Sequence, residues 1–273
     1  MSEAAAVARA DRRTVVRLSQ RDLVVLWPRA EAVIDPRTPP RRIFLSPHFD
    51  DAPLCAGGRM LAGPPGVWRT VVFFSRSAFW RFRVERDEAF IALLRLAEER
   101  HAARLFGYAL ETAGLAEAPL RGRPDPLNPA EKPDSRDREV IEAVRRLLAS
   151  LAARFPDARF AVPMGIGHHI DHRILRDAAL AVLPSCGVGR DRIELCEDLP
   201  YAATARRRVW PPTVLPGARL KPRVEAVRAD WKAEGLRAYF SQLHAEQIAA
   251  VEQYARSLGG GFGAERFWLA GSA

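Results

Sequence analysis

Cysteine is scarce in this 273-residue chain: Cys55, Cys186 and Cys196 are the only three, and none stands close to another. That excludes a dense disulfide framework and a cysteine-built metal or redox motif, and it suits a reducing compartment. No stretch reaches the ~20 apolar residues of a membrane helix, and Met1 to Arg13 mixes alanine with charges instead of forming a signal core. The expectation is a cytoplasmic protein without membrane insertion. Lysine is nearly missing as well. Lys132, Lys221 and Lys232 are the only lysines among 42 basic residues, so the net charge of +9 and the pI near 10.2 come from scattered arginines. The densest basic run, Arg206 to Arg208, lacks the interleaved aromatics of a base-stacking groove. No nucleic-acid partner is expected, and a basic nucleic-acid-binding protein is kept only as the alternative from another class.

What the chain does have is enough apolar residues, 48%, to build one large core. Residues 1–40 are Arg-rich, end in Pro36, Pro39 and Pro40, and read as an N-terminal extension. From residue 41 onward, short apolar runs alternate with helical periodicity. Ile43 to Leu45, Val67 to Phe74, Phe160 to Val162 and Ile193 to Cys196 predict buried strands. Helices are predicted over 53–62, 84–106, 138–155, 174–182, 224–240 and 245–258, the second with Phe90, Leu93, Leu94, Ala97, Ala102 and Leu105 on its apolar face. The Pro/Gly/Asn-rich stretch 118–135 predicts a long surface loop able to act as a lid. The alternation argues for an α/β fold: a Rossmann-like, mostly parallel sheet with helices on both faces and an active site at the C-terminal strand ends.

Two segments carry the chemistry, and each follows a predicted strand. In Ser46-Pro47-His48-Phe49-Asp50-Asp51, His48 and Asp51 are spaced to reach one metal ion, with Asp50 a spare carboxylate between them. Helix capping by the acidic residues explains that cluster equally well. Gly165-Ile166-Gly167-His168-His169-Ile170-Asp171-His172 holds three of the six histidines within five residues, with Asp171 placed to orient a ring. Three histidines and an aspartate at a strand end are hard to explain as packing. Glu197, Asp198 and Tyr201 follow the fourth predicted strand and offer substrate contacts or, equally, a capped turn and a core aromatic.

Pro47-His48-Phe49-Asp50-Asp51 resembles the P-H-x-D-D signature of the LmbE/PIG-L superfamily, and His169-Ile170-Asp171-His172 resembles its H-x-D-H signature. Glu197 to Tyr201, Tyr239 to Gln242 and Glu265 to Trp268 resemble one branch of it in the same order, so the likeness covers about 41–273. Ala52 stands where the signature often has Glu, and Phe49 where Pro or Leu is common. The resemblance implies a zinc-dependent hydrolase that removes an N-acyl group, N-acetyl in the usual case, from an amino sugar or glycosylated small molecule through an activated water. An amidase acting on a larger conjugate would use the same site. It further implies that His48, Asp51 and His172 bind zinc, Asp50 is the general base, His169 stabilises or protonates the tetrahedral intermediate, and Asp171 holds a histidine ring in place; His168 has no counterpart in the signature and is expected behind the ligands or at the rim. Sites of two histidines and one aspartate also accept iron, manganese or cobalt. Oligomeric state is not legible in the sequence.

Overall fold

The computed structural model describes residues 38–82, 86–204 and 220–270. Nearly all of the expected N-terminal extension, and the Arg206 to Arg208 run, lie outside the described residues. The core is a seven-stranded sheet in the order β3-β2-β1-β4-β5-β7-β6. Its strands are β1 (Arg42–Ser46), β2 (Trp68–Val72), β3 (Tyr108–Thr112), β4 (Arg159–Pro163), β5 (Ile193–Cys196), β6 (Leu220–Ala226) and β7 (Ala264–Ala270). The first five are parallel, and β7 and β6 close one edge antiparallel.

Alternation along the central strands divides the interior in two. Ile43 and Leu45 of β1 and Phe160 and Val162 of β4 face one apolar cluster, while Phe44 and Ala161 face the other. The first cluster is completed by α3 (Arg138–Arg154) and α4 (Ile170–Ser185). α1 (Asp51–Ala62), α2 (Glu88–Phe106), α5 (Ala229–Leu236) and α6 (Ala245–Gly259) complete the second. Strands covered on both faces must be apolar throughout, which is why β1 and β4 read as continuous runs. α1 lies close beneath its neighbours: a Cβ on Gly57 would fall 2.7 Å from the Phe106 ring, and one on Gly58 would fall 2.7 Å from Val227.

The chain runs outward from β1 to β2 and β3, then returns to the other side of β1 with β4 and β5. The order therefore reverses between β1 and β4, and the crevice outside their C-terminal ends is where open α/β sheets hold ligands. Both motif segments begin there.

Several expectations need correction. The stretch 224–240 is not one helix. Val224 lies in β6, paired along its length with β7, and helix starts only at Ala229. β3 and β7 were not predicted as strands. The helix over 84–106 is real from Glu88, but Phe90 and Leu93 are exposed, while Ile91, Arg95, Glu98, Glu99 and Ala102 turn inward. Ala102 and Leu105 of the expected apolar face are buried, but in its first half the helix buries Arg95, Glu98 and Glu99 where apolar periodicity placed Phe90 and Leu93. The 118–135 loop carries two short 3₁₀ turns, Ala118–Arg121 and Ser135–Asp137. The fully buried Arg123 guanidinium fastens it to Asp137 and Glu131.

Candidate active site

After β1, Ser46 Oγ donates to the His48 carbonyl at 2.8 Å and the His48 amide donates to Asp51 Oδ2 at 2.8 Å, folding the segment into a tight turn. α1 starts at Asp51. Asp50 occupies its N-cap position, but its side chain makes no capping bond. The capping explanation therefore fails for Asp50, whose carboxylate lines the cleft instead. After β4, three left-handed positions within four residues, Gly165, Gly167 and His168, swing the chain round so that His169 caps α4. Gly167 is required there, because any Cβ would fall 2.4 Å from the ring of Tyr201.

These turns bring His48, Asp51, His169 and His172 together, all four buried. His48 Nδ1 and His172 Nε2 each lie 3.4 Å from Asp51 Oδ2. A tetrahedral zinc with bonds of about 2.0–2.1 Å sets neighbouring ligand atoms about 3.3–3.4 Å apart, so the two contacts to Asp51 match edges of such a site. The far nitrogens are held too: His48 Nε2 pairs with Asp171 Oδ2 at 3.0 Å and His172 Nδ1 with Asp198 Oδ1 at 2.6 Å. A carboxylate behind each ring fixes the tautomer that turns a lone pair toward Asp51, the usual support of metal-binding histidines.

His169 also offers a nitrogen within 4.8 Å of those of His48 and His172. Its Nδ1, however, accepts the Asp171 amide at 3.2 Å, and among the described residues no carboxylate is hydrogen-bonded to the ring. In a neutral ring that bond leaves Nε2 as an N–H, a donor beside the other two rings. Burial, and then positive charge on His48 and His172, hold His169 down to about 2. Burial opposes charge on His48 as well, yet hydrogen bonds with Asp171 and Asp51 raise it to about 10. The cluster thus has a surplus of carboxylate that favours a cation at its centre. Burial and the adjacent Asp51 charge push Asp50 well above the ordinary carboxylate range, with Arg95 and His48 opposing.

The cleft over this cluster is lined by Asp50, His169, Tyr201, Arg95 and Glu117, with apolar walls from Leu54, Phe79, Leu127 and Leu243. Pro119, Pro126 and Leu127 come from the 118–135 loop, which therefore borders the site as a lid would, and the Ile170 amide donates to Pro126 O at 2.9 Å. Arg95 is an unpredicted member. Its Nε donates to Gln242 Oε1 at 2.9 Å, and Glu117 lies 3.5 Å from Nη1. The signal that would have found it is the polar stripe Arg95, Glu98 and Glu99 in helical register with Ile91 and Ala102.

Three expected roles change. His168 is exposed and stands away from the cluster, so it does not back a ligand. Glu197 lies outside the cleft, accepting from Tyr254 Oη at 2.5 Å, Arg266 Nε at 2.6 Å and Trp268 Nε1 at 3.0 Å, which binds β7 to α6. Asp198 is fully buried and accepts from His172 and from the Ile166 amide, so it orients a ring and does not touch substrate. Asp198→Ala should weaken metal affinity ~10–100-fold, the usual effect of losing such a partner. Glu197→Gln should leave affinity unchanged. Metal titration of the two apoproteins checks this, and equal affinities would refute the division.

No family model matches the chain, and no curated protein matches it in sequence. Solved structures do match. A deacetylase of teicoplanin biosynthesis shares 25% identity at TM-score 0.65, covering 84% of this chain and 96% of that one. A zinc-inhibited form of the teicoplanin deacetylase gives 22% and 0.64 over 84% and 97%. The N,N'-diacetylchitobiose deacetylase of Pyrococcus horikoshii gives 15% and 0.55 over 94% of each chain. The chain has the fold of the LmbE/PIG-L-type deacetylases, the superfamily that its two motifs resemble.

Proposed function

We propose that this chain is a zinc-dependent amide hydrolase that releases an N-acyl group, acetyl in the first instance, from an amino sugar or a glycosylated small molecule. The observation that carries this reading is Asp51 Oδ2 at 3.4 Å, a tetrahedral edge, from both His48 and His172, beside Asp50, which lines the same cleft without a capping bond. A structural zinc takes four closed protein ligands, whereas three ligands leave a position open to water or substrate. Deacetylase relatives acting in teicoplanin biosynthesis and on N,N'-diacetylchitobiose support both the amide chemistry and the sugar-bearing substrate.

His48, Asp51 and His172 would hold the ion, which when bound supplies Lewis acidity that acidifies water and polarises an acyl carbonyl. Asp50 takes the proton from the attacking water, and the same proton then serves the departing nitrogen as the C–N bond breaks, giving carboxylate and free amine. The high proton affinity of Asp50 suits it to accept and return a proton. His169 Nε2–H faces the cluster as a donor to the oxygen that gains charge. Tyr201 also lines the cleft, its hydroxyl kept protonated by burial and the nearby Asp51 and Asp50 charges, where it can donate to a sugar oxygen.

Metal analysis of the purified protein, combined with amine release from a panel of N-acetylated amino sugars and their glycosides, tests the whole reading. A protein without metal and without turnover on any member would overturn it. His169→Ala should keep its metal and lose ~10²–10³ in rate, as removal of one oxyanion donor does. Unchanged turnover would make His169 a bystander.

A further inference from the structure

Asp50 has φ 81° and ψ −30°, a conformation that a non-glycine residue keeps only when its surroundings hold it. The grip is visible. The Asp50 amide donates to Glu99 Oε2 at 3.1 Å, and Glu99 is itself clamped by Tyr108 Oη on Oε1 and Tyr239 Oη on Oε2, both at 2.7 Å. Glu99, Tyr108 and Tyr239 are fully or almost fully buried and come from α2, β3 and the segment after α5. The neighbouring Glu98 pins that last segment by accepting from the Ser241 amide, Ser241 Oγ and Gln242 Nε2 at 2.7–2.8 Å.

For packing alone, Glu99 is a poor choice. Its carboxylate is buried, meets only neutral donors among the described residues, and stands near the charges of Asp50 and Asp51. An apolar side chain would fill the space without that cost, but could not accept the Asp50 amide.

We propose that Glu99 is a positioning residue: by accepting the Asp50 amide from a carboxylate clamped between Tyr108 and Tyr239, it fixes the turn that aims the Asp50 carboxylate into the cleft. This rests on the hydrolase reading. Glu99 acts through Asp50, so its loss should affect the chemical step and spare both metal and ground-state binding. Glu99→Ala should lower kcat by up to ~10²-fold, the scale of a misplaced catalytic group, with KM and metal content little changed. Glu99→Gln keeps an acceptor for the amide and should recover most of the rate. In an Asp50→Asn background Glu99→Ala should cost nothing further, because groups acting as one unit are not additive.

The activity arm uses the N-acetylated amino sugar panel. A second arm needs neither metal nor substrate: amide hydrogen exchange of the apoprotein should show Asp50 protected in wild type, exposed in Glu99→Ala and intermediate in Tyr239→Phe, which keeps the fold should Glu99→Ala not. Wild-type kcat in Glu99→Ala, a further multiplied loss in the Asp50→Asn background, or unchanged Asp50 protection in Tyr239→Phe would overturn the role of Glu99. If Asp50→Asn itself turned over normally, the hydrolase reading would fail; an inactive Asp50→Asn beside a fully active Glu99→Ala would remove only Glu99.

Discussion

Asp50→Asn should retain its metal and lose ~10²–10⁴ in turnover, the contribution of a positioned general base. The substitution is close to isosteric, and asparagine tolerates positive φ better than most residues, so the 81° turn at residue 50 survives it. No capping bond is lost, because the Asp50 side chain caps nothing. The amide to Glu99 is a backbone group and stays. What disappears is the acceptor for the water's proton. Asp51→Asn should behave in the opposite way: its Oδ2 stands 3.4 Å from two histidine nitrogens, and a neutral amide is a weak replacement for an anionic ligand, so metal affinity falls first. Metal content and single-turnover rates of the two proteins settle the assignment. If Asp50→Asn lost its metal and Asp51→Asn kept it, the two roles would be exchanged.

The parts of this molecule that were legible in sequence are those where one physical requirement dominates. β1 and β4 are buried on both faces, so they appear as unbroken apolar runs, and the ligand-rich loops follow them at once because the sheet order reverses there. β7 was hidden because its aromatic pair, Phe267 and Trp268, reads equally well as core in any element. β6 was hidden because it is an exposed edge whose helix-like residues take strand geometry only through pairing with β7. The polar face of α2 is the most instructive case. Arg95, Glu98 and Glu99 look like a solvated stripe until four separate segments supply Ser77, Gln242, Ser241, Tyr108, Tyr239 and the Asp50 amide as partners. Asp198 was placed in the correct neighbourhood with the wrong task. Only the 2.6 Å contact to His172 distinguishes a carboxylate that orients a ligand from one that meets a sugar.

His48→Ala and His172→Ala should each lose most bound metal, and with it nearly all turnover, while the fold persists. In the proposed set each ring supplies one of three ligand atoms, and backing carboxylates alone already tune affinity ~10–100-fold, so loss of the ligand itself should exceed that. The fold has little reason to fail. Its two apolar clusters flank the sheet along its length, whereas the metal cluster occupies one crevice at the strand ends, unlike small domains whose folding energy is their metal. His48→Ala does strand Asp171, but Arg121 Nη2 at 2.6 Å and the Ala118 amide at 2.9 Å continue to satisfy that carboxylate. Among the described residues His172→Ala leaves the buried Asp198 carboxylate with only the Ile166 amide, so of the two it should be the less stable. His169→Ala is the internal control: the His169 ring lies 4.6 Å from that of His48 and 5.2 Å from that of His172, so it shares their surroundings without sharing their task. Metal content by mass spectrometry, set beside circular dichroism of the same samples, reads both halves of the expectation. Full occupancy in either ligand variant, or loss of metal from His169→Ala with retention in His48→Ala, would show that the ion is held by a different three.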